Sequence, residues 1–406
     1  MNQQPPDGDL MKGYKMDKLY ILIPQYTEPF EVIKPLLDSL AIQQNVDFDR
    51  LHVIICKDGE PTNNAYEVKS DDPLLYDNIT YFIYDEKGLQ HDYPYQINYY
   101  ICEHGGVSAT RNACLDKAIE DSKIFKGNHY VMFCDIDDMF FNNYGLHIIF
   151  REIDAERSDG QFDTMMSAFI EETRMPKFDK KTKKPIIDPH TGRPETDKDT
   201  PIYVPHPTDS TFVHGKVHRL KFLINNNIRW NNDLTIHEDS FFNCLCQRLA
   251  GPENTIYCPL VNPQTGLPMA FYLWRWRDES VCRHDPDYIL KTYNNMLDSN
   301  TALVEEFKDR GRKEDAQFFV TTMIYDAYFT MNKDEWLKQE NQDYRKAVEK
   351  RFKRYYDEYE NTFLAIDEDV KRQIIMGIKN RMFGEGLMME SITFNDWIAK
   401  IEELED

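Results

Sequence analysis

No apolar run in the 406 residues approaches the roughly 18–20 residues of a membrane span. The opening stretch, MNQQPPDGDLMKGYKM, lacks the apolar core of a signal peptide. Residues 1–17 therefore read as a flexible tail, and a cytoplasmic protein is expected. Positive charge is in deficit: 48 Lys and Arg stand against 70 Asp and Glu, a formal charge of −22. A bare phosphate backbone repels such a chain, which argues against a general nucleic-acid binder but not against a local basic groove. The eight cysteines include no CxxC pair. A zinc site is not expected, and the thiols read as reduced and mostly buried. No repeat at solenoid periods is present. A composition of 41% hydrophobic and 29% charged residues excludes a wholly disordered chain, and the length suits two or three domains.

What is present alternates. Residues 18–24, Lys-Leu-Tyr-Ile-Leu-Ile-Pro, form an apolar run closed by proline, the pattern of a buried strand. Over 29–44, Phe30, Ile33, Leu36, Leu37, Leu40 and Ala41 share one helical face. Strands are predicted at 51–56, 79–84 and 129–134, and a helix over 107–120 led by Gly105-Gly106. Strand and helix in alternation predict an open α/β sheet, and ligands of such sheets bind beyond the carboxyl ends of the strands. The polar clusters at 24–28, 57–60 and 135–138 all fall at those ends. Residues 176–201, rich in Lys, Asp and Pro, read as an exposed loop or hairpin turning at His190-Thr191-Gly192. An apolar strand is expected within 269–282. After Asp285-Pro286, Ala316, Val320, Met323 and Ala327 recur at helical spacing, with Phe319, Ile324 and Tyr328 widening the stripe. Residues 343–360 and 367–382 are also helix-like. Residues 285–406 hold 27 acidic and 18 basic side chains, so a separate acidic helical domain is expected there.

Asp135-Ile136-Asp137-Asp138 is the sharpest local feature. Carboxylates crowded on one turn repel each other unless a cation lies between them, and Mg²⁺ or Mn²⁺ can bridge carboxylate to diphosphate. The same tetrapeptide also suits a solvated acidic turn.

Context weighs against the plain turn. "YILIPQYTEPFEVIKPLLDSLAIQQ", "GGVSATRNACLDKA" and "YVMFCDIDDMFF" together resemble the GT-A glycosyltransferases of family 2. "VHGKVHRLKFLINNNIRWNNDLTIHEDSFF" is similar to that family's Gly-Lys-x-x-Arg stretch and Glu-Asp motif, and "FYLWRWRDESVCRHD" to its Arg-x-Arg-x-x-Ser segment. The five motifs run in family order across residues 19–284.

The resemblance implies a GT-A fold over 18–284, a Rossmann-like nucleotide-sugar domain interrupted at 176–201, with the helical domain at 285–406 added to it. It implies an inverting transfer from a nucleotide-sugar donor with Mn²⁺ or Mg²⁺ as cofactor. Pro24, Tyr26 and Glu28 would line the nucleotide pocket. Asp58 would meet the base, usually uracil, although Lys57 and Glu60 replace the Asp and Ser that flank it in the family pattern. Arg111 and Asn112 would lie near the nucleotide. Asp137 is the first choice as metal ligand, with Asp135 and Asp138 on ribose or metal and His284 as a further ligand. Arg275, Arg277 and Ser280 would hold the diphosphate. Asp239 would be the base, with Glu238 in support. For His237, as for His284, a structural role is the plainer reading. Trp230, Trp274 and Trp276 read as core before sugar stacking, and the lysines of 177–184 as a solvated loop before an anionic-acceptor contact.

The reading is therefore a glycosyltransferase acting on a glycan, polymer, protein or modified-base acceptor. Residues 285–406 are expected to serve the acceptor side or a homo-oligomer contact. The rivals are a nucleotidyltransferase on a similar sheet and a non-catalytic sugar- or nucleotide-binding module.

Overall fold

A computed structural model describes residues 16–59, 80–84, 87, 89–155, 161–186, 195–208, 211–266, 268–277, 288–332, 336, 342–383 and 392–404. The chain divides between residues 281 and 282 into two compact units.

The strands described in the first unit are β1 (Leu19–Gln25), β2 (Leu51–Asp58), β3 (Thr80–Tyr84), β4 (Gln90–Cys102), β5 (Tyr130–Phe133), β6 (Met139–Phe140), β7 (Thr164–Ser167), β8 (Phe169–Pro176), β9 (Thr196–His206), β10 (Lys216–Arg219), β11 (Thr255–Cys258) and β12 (Tyr272–Trp274). Its helices are α1 (Phe30–Ala41), α2 (Gly106–Ser122), α3 (Gly145–Asp154), α4 (Leu220–Asn225) and α5 (Glu238–Ala250). The large sheet has the order β11-β7-β10-β5-β1-β2-β4-β3. Its centre is parallel: β1 pairs with β2 and β5, and β2 with β4. Strand β10 runs antiparallel to both its neighbours. Every residue of β2 is buried, as are all but one of β1, because both faces of a parallel sheet are covered. Helix α1 buries Phe30, Ile33, Leu36, Leu37 and Leu40, the face its spacing predicts.

The α/β sheet expected from the sequence is observed. No local pattern marks β4, which lies beside β2, while β3 takes the sheet edge. QHDYPYQINYYIC has no apolar run, because its tyrosines alternate with polar groups on a strand near the edge. Of residues 176–201, read as an exposed loop or hairpin, 196–201 lie in strand β9, which pairs antiparallel with β8 in a hairpin. That hairpin belongs to a second, four-stranded sheet of order β6-β12-β8-β9. Its expected turn at 190–192 lies outside the described residues. Of the apolar run at 269–274, only Tyr272–Trp274 is strand. Met16 and Asp17, assigned to the tail, are tied down: Met16 N–H donates to Lys126 O at 2.8 Å, and Asp17 Oδ1 accepts from Asn128 N–H at 2.7 Å.

The second unit is helical: α6 (Tyr288–Asp309), α7 (Lys313–Met331), α8 (Gln342–Leu364), α9 (Glu368–Phe383) and α10 (Phe394–Glu402). Helix α7 buries the whole predicted stripe from Ala316 to Tyr328 and most of its other faces, so it is the unit's central element. The described cysteines are free thiols. Among the described residues, no helix is long and apolar enough to cross a membrane.

Candidate active site

The carboxyl ends of β1, β2 and β5 open into a cavity of about 580 Å³. Pro24, Tyr26, Glu28, Asp58, Arg111, Asp135, Asp137 and Arg277 line it. Each was singled out in the sequence, and the parallel strands bring them together from a span of more than 250 residues.

The loop after β1 is fixed from below. Lys57 is 1% exposed, and its ammonium donates to the Tyr26 carbonyl at 2.6 Å. Glu28 Oε2 accepts from Tyr26 N–H at 2.8 Å, and Gln25 Nε2 donates to Glu28 O at 2.7 Å. Lys57, which departs from the family pattern, thus holds the loop's backbone. The Tyr26 ring is left 54% exposed and faces His104, with centroids 5.8 Å apart.

Asp58 does more structural work than the sequence implies. Its Oδ1 accepts from Gly105 N–H at 2.8 Å and its Oδ2 from Gly106 N–H at 3.1 Å. His104 Nδ1 lies 3.1 Å from the same Oδ2. The carboxylate closes the N-terminus of α2, where glycine supplies no side-chain cap. Gly106, at φ 82°, takes the left-handed turn that aims its N–H at Asp58.

Arg111 is the hub. It is 4% exposed; Nη2 donates to Asp135 Oδ1 at 2.8 Å and Nη1 to Glu238 Oε1 at 2.9 Å. Its guanidinium lies 4.4 Å from the centre of the Trp230 ring, which in turn stacks on Phe242. Trp230 is therefore core, and it shelves the arginine. Burial alone would lower the Arg111 pKa, but Asp135 and Glu238 outweigh it and hold the charge firmly in place. Asn112, expected near the nucleotide, instead clamps backbone. It donates to Trp230 O at 2.9 Å and accepts from Trp230 N–H at 3.0 Å.

The acidic turn after β5 splits into three environments. Burial pushes the Asp135 carboxyl up, and Arg111 more than reverses that shift. Asp137 stays raised, through burial and the Asp135 charge, although Arg277 Nη1 lies 3.1 Å from its Oδ2. Asp138 is fully buried: its Oδ2 accepts from the Tyr272 hydroxyl at 2.6 Å and its Oδ1 from Arg275 N–H at 2.9 Å. Burial, then Asp137 and Asp135, push its pKa well up. The Arg275 guanidinium donates to Asp137 O at 3.2 Å, so Arg275 and Arg277 both converge on this turn.

His214 was missed by the sequence analysis, which weighed His237 and His284 instead. It is 4% exposed, stacked on Tyr272 and Trp274, and its Nδ1 has no hydrogen-bond partner among the described residues. That Nδ1 lies 3.6 Å from Asp138 Oδ2. Burial lowers its pKa to about 3, so the ring is neutral and able to ligate. Ligand atoms of Asp135, Asp138 and His214 lie within 4.8 Å of one another. Asp137, the first choice from sequence, is not in that group. The signal for His214 was its place before Gly215-Lys216, but only the fold brings β10 and β5 side by side. Ser280 and His284 lie outside the described residues.

Glu238 and Asp239 open α5, where the helix dipole favours acids. His237 precedes them in a left-handed conformation, φ 63°. Burial, then the Glu238 carboxylate, raise the Asp239 pKa to about 7. Through Arg111, Glu238 is joined to Asp135 of the acidic turn.

No family model and no curated protein matches the chain. Solved structures of similar fold include TarS 1–349 of S. aureus, at 14% identity and TM-score 0.48, covering 92% of this chain and 93% of that one. The same TarS fragment in complex with UDP-GlcNAc is similar at 14% identity and TM-score 0.46, over 92% of this chain and 93% of that one. The mannosyltransferase PcManGT from Pyrobaculum calidifontis, in complex with GDP-Man and Mn2+, is similar at 9% identity and TM-score 0.39, over 96% of this chain and 85% of that one. Likenesses of this size leave the chemistry to be argued from the site itself.

Proposed function

We propose that the chain is an inverting, metal-dependent glycosyltransferase that moves a sugar from a nucleotide-sugar donor, a UDP-sugar, to an acceptor hydroxyl. The observation that carries this reading is buried Arg111, which lines the strand-end cavity and joins Glu238, the neighbour of Asp239, to Asp135. The nucleoside diphosphate lies in that cavity, with its base against the Tyr26–His104 end. Arg275 and Arg277 hold the diphosphate, since guanidinium forks match phosphate oxygens.

A divalent cation fits the residues present. Asp135 and Asp138 supply hard oxygens, and the orphaned Nδ1 of buried His214 supplies a third donor. These residues would hold Mn²⁺ or Mg²⁺, which as a Lewis acid offsets charge developing on a diphosphate leaving group. Asp239 takes the proton from the acceptor hydroxyl as the hydroxyl oxygen attacks the anomeric carbon. A carboxyl poised near neutrality suits a general base. One displacement, with the leaving group departing opposite the nucleophile, inverts the configuration. Glu238 is committed to Arg111 and positions the base.

Incubation with UDP-sugars and Mn²⁺, reading UDP release and product configuration, tests the proposal. If no UDP- or GDP-sugar is turned over or shifts the unfolding temperature, it is wrong. A nucleotidyltransferase would instead release pyrophosphate from a nucleoside triphosphate.

A further inference from the structure

We propose that Tyr272 is the positioning residue of the cation site: its hydroxyl and its ring fix Asp135, Asp138 and His214 relative to one another. The proposal rests on the cation reading above. Tyr272 is fully buried and lies in β12, which pairs with β6 in the register Tyr272 opposite Phe140. β6 begins at Met139, the residue after Asp138. This short antiparallel pair carries Tyr272 back to the acidic turn.

The hydroxyl touches two of the three candidate ligands. It accepts from Asp135 N–H at 3.1 Å and donates to Asp138 Oδ2 at 2.6 Å. A backbone N–H can only donate, so the hydroxyl oxygen must accept there and its own proton is left for Asp138. Arg275 N–H, three residues further along the same chain, takes Asp138 Oδ1 at 2.9 Å. Both oxygens of the Asp138 carboxylate are thus held from the β12 segment, and the group cannot turn without breaking a hydrogen bond. Packing alone does not call for the hydroxyl. Phenylalanine stands at both register partners of Tyr272, Phe140 and Phe169. A buried hydroxyl costs desolvation unless it is paired, and its partners here are both residues of the acidic turn.

The ring touches the third ligand. His214 stacks on Tyr272, with centroids 4.9 Å apart and an interplanar angle of 27°. The backbone of His214 is fixed as well. Lys216 Nζ donates to His214 O at 3.1 Å. Gly215, at φ 69°, lies so near Ser167 that a Cβ there would stand 2.4 Å from Ser167 Oγ. Ring and backbone together leave His214 Nδ1 at 3.6 Å from Asp138 Oδ2, too long for a hydrogen bond. Two donors bound about 2.1 Å from one ion, at a right angle or wider, stand about 3 Å apart or more, so this spacing suits a shared cation.

The test compares Tyr272→Phe with Tyr95→Phe in the full chain, with Mn²⁺ alone as the probe. Tyr95 is also fully buried, and its hydroxyl donates to Leu37 O at 2.6 Å, away from the acidic turn. Paramagnetic resonance of the free ion gives the Mn²⁺ affinity, and thermal unfolding of the metal-free chains gives their stability. Tyr272→Phe should weaken Mn²⁺ binding by about tenfold or more, the scale for losing a group that orients a metal ligand. Tyr95→Phe should lower the unfolding temperature and leave the Mn²⁺ affinity unchanged. Native Mn²⁺ affinity in Tyr272→Phe overturns the proposal. So does an equal loss of affinity in Tyr95→Phe, which would trace the effect to general destabilisation. A native chain that binds no Mn²⁺ overturns the cation reading and this proposal together, whereas native binding with an unaffected Tyr272 variant overturns this proposal alone.

Discussion

Arg111 Nη1 lies 2.9 Å from Glu238 Oε1, joining residues 127 positions apart. The same guanidinium also holds Asp135. One buried cation thus links the acidic turn after β5 to the acidic start of α5.

Arg111→Met should destabilise the protein by about 3–5 kcal/mol, the scale for stranding buried partners of a removed charge. Arg111→Lys should recover part of that loss, since an ammonium keeps the charge but not the fork. Urea titration measures both. Native stability in the Met variant would show that Asp135 and Glu238 find other partners.

Asp239→Asn should still bind UDP and Mn²⁺, while transfer falls by roughly 10²-fold or more. Glu238→Gln should cost less in transfer and more in stability, because it loosens Arg111. Near-native turnover by the Asp239 variant would move the base elsewhere.

The pH profile follows from the same carboxyl. Its raised pKa, about 7, means that the active, ionised base is lost as pH falls. The kcat/KM for transfer should drop about tenfold per unit below that point and level off above it. In Asp239→Asn the acid limb should vanish. A profile flat from pH 5 to 8 in the native enzyme contradicts the assignment.

His214→Ala should weaken Mn²⁺ binding, read by the ion's paramagnetic resonance or by calorimetry without any donor. Roughly tenfold or more is expected for one lost imidazole ligand. Asp137→Asn should chiefly reduce UDP affinity, through the freed Arg277. If both variants bind Mn²⁺ like the native chain, the cation lies elsewhere.

Lys57→Met removes the donor to the Tyr26 carbonyl. It should cost about 1–3 kcal/mol of stability, the usual scale for an unpaired buried polar group. It should raise the donor KM with little change in kcat. An unchanged KM would show that the loop after β1 keeps its shape without the ammonium.

The sequence by itself determined the local elements and much of the residue cast. β1, β2 and α1 are legible because burial on both faces of a parallel strand, or on one face of a helix, imposes a pattern within a dozen residues. The polar clusters at strand ends were legible for the same reason: each follows its own strand. Tertiary structure decided which of these side chains touch. It committed Asn112 to the Trp230 backbone and Asp58 to the start of α2. It closed Asp138 off from solvent, and it brought His214 on the approach to β10 against the turn after β5. β4 also came only from the fold, since its partners, not its composition, make it a strand. The physical reason is range: periodicity records what a residue does within its own element, whereas hydrogen bonds and charge pairs between elements depend on sheet order, which no local pattern encodes.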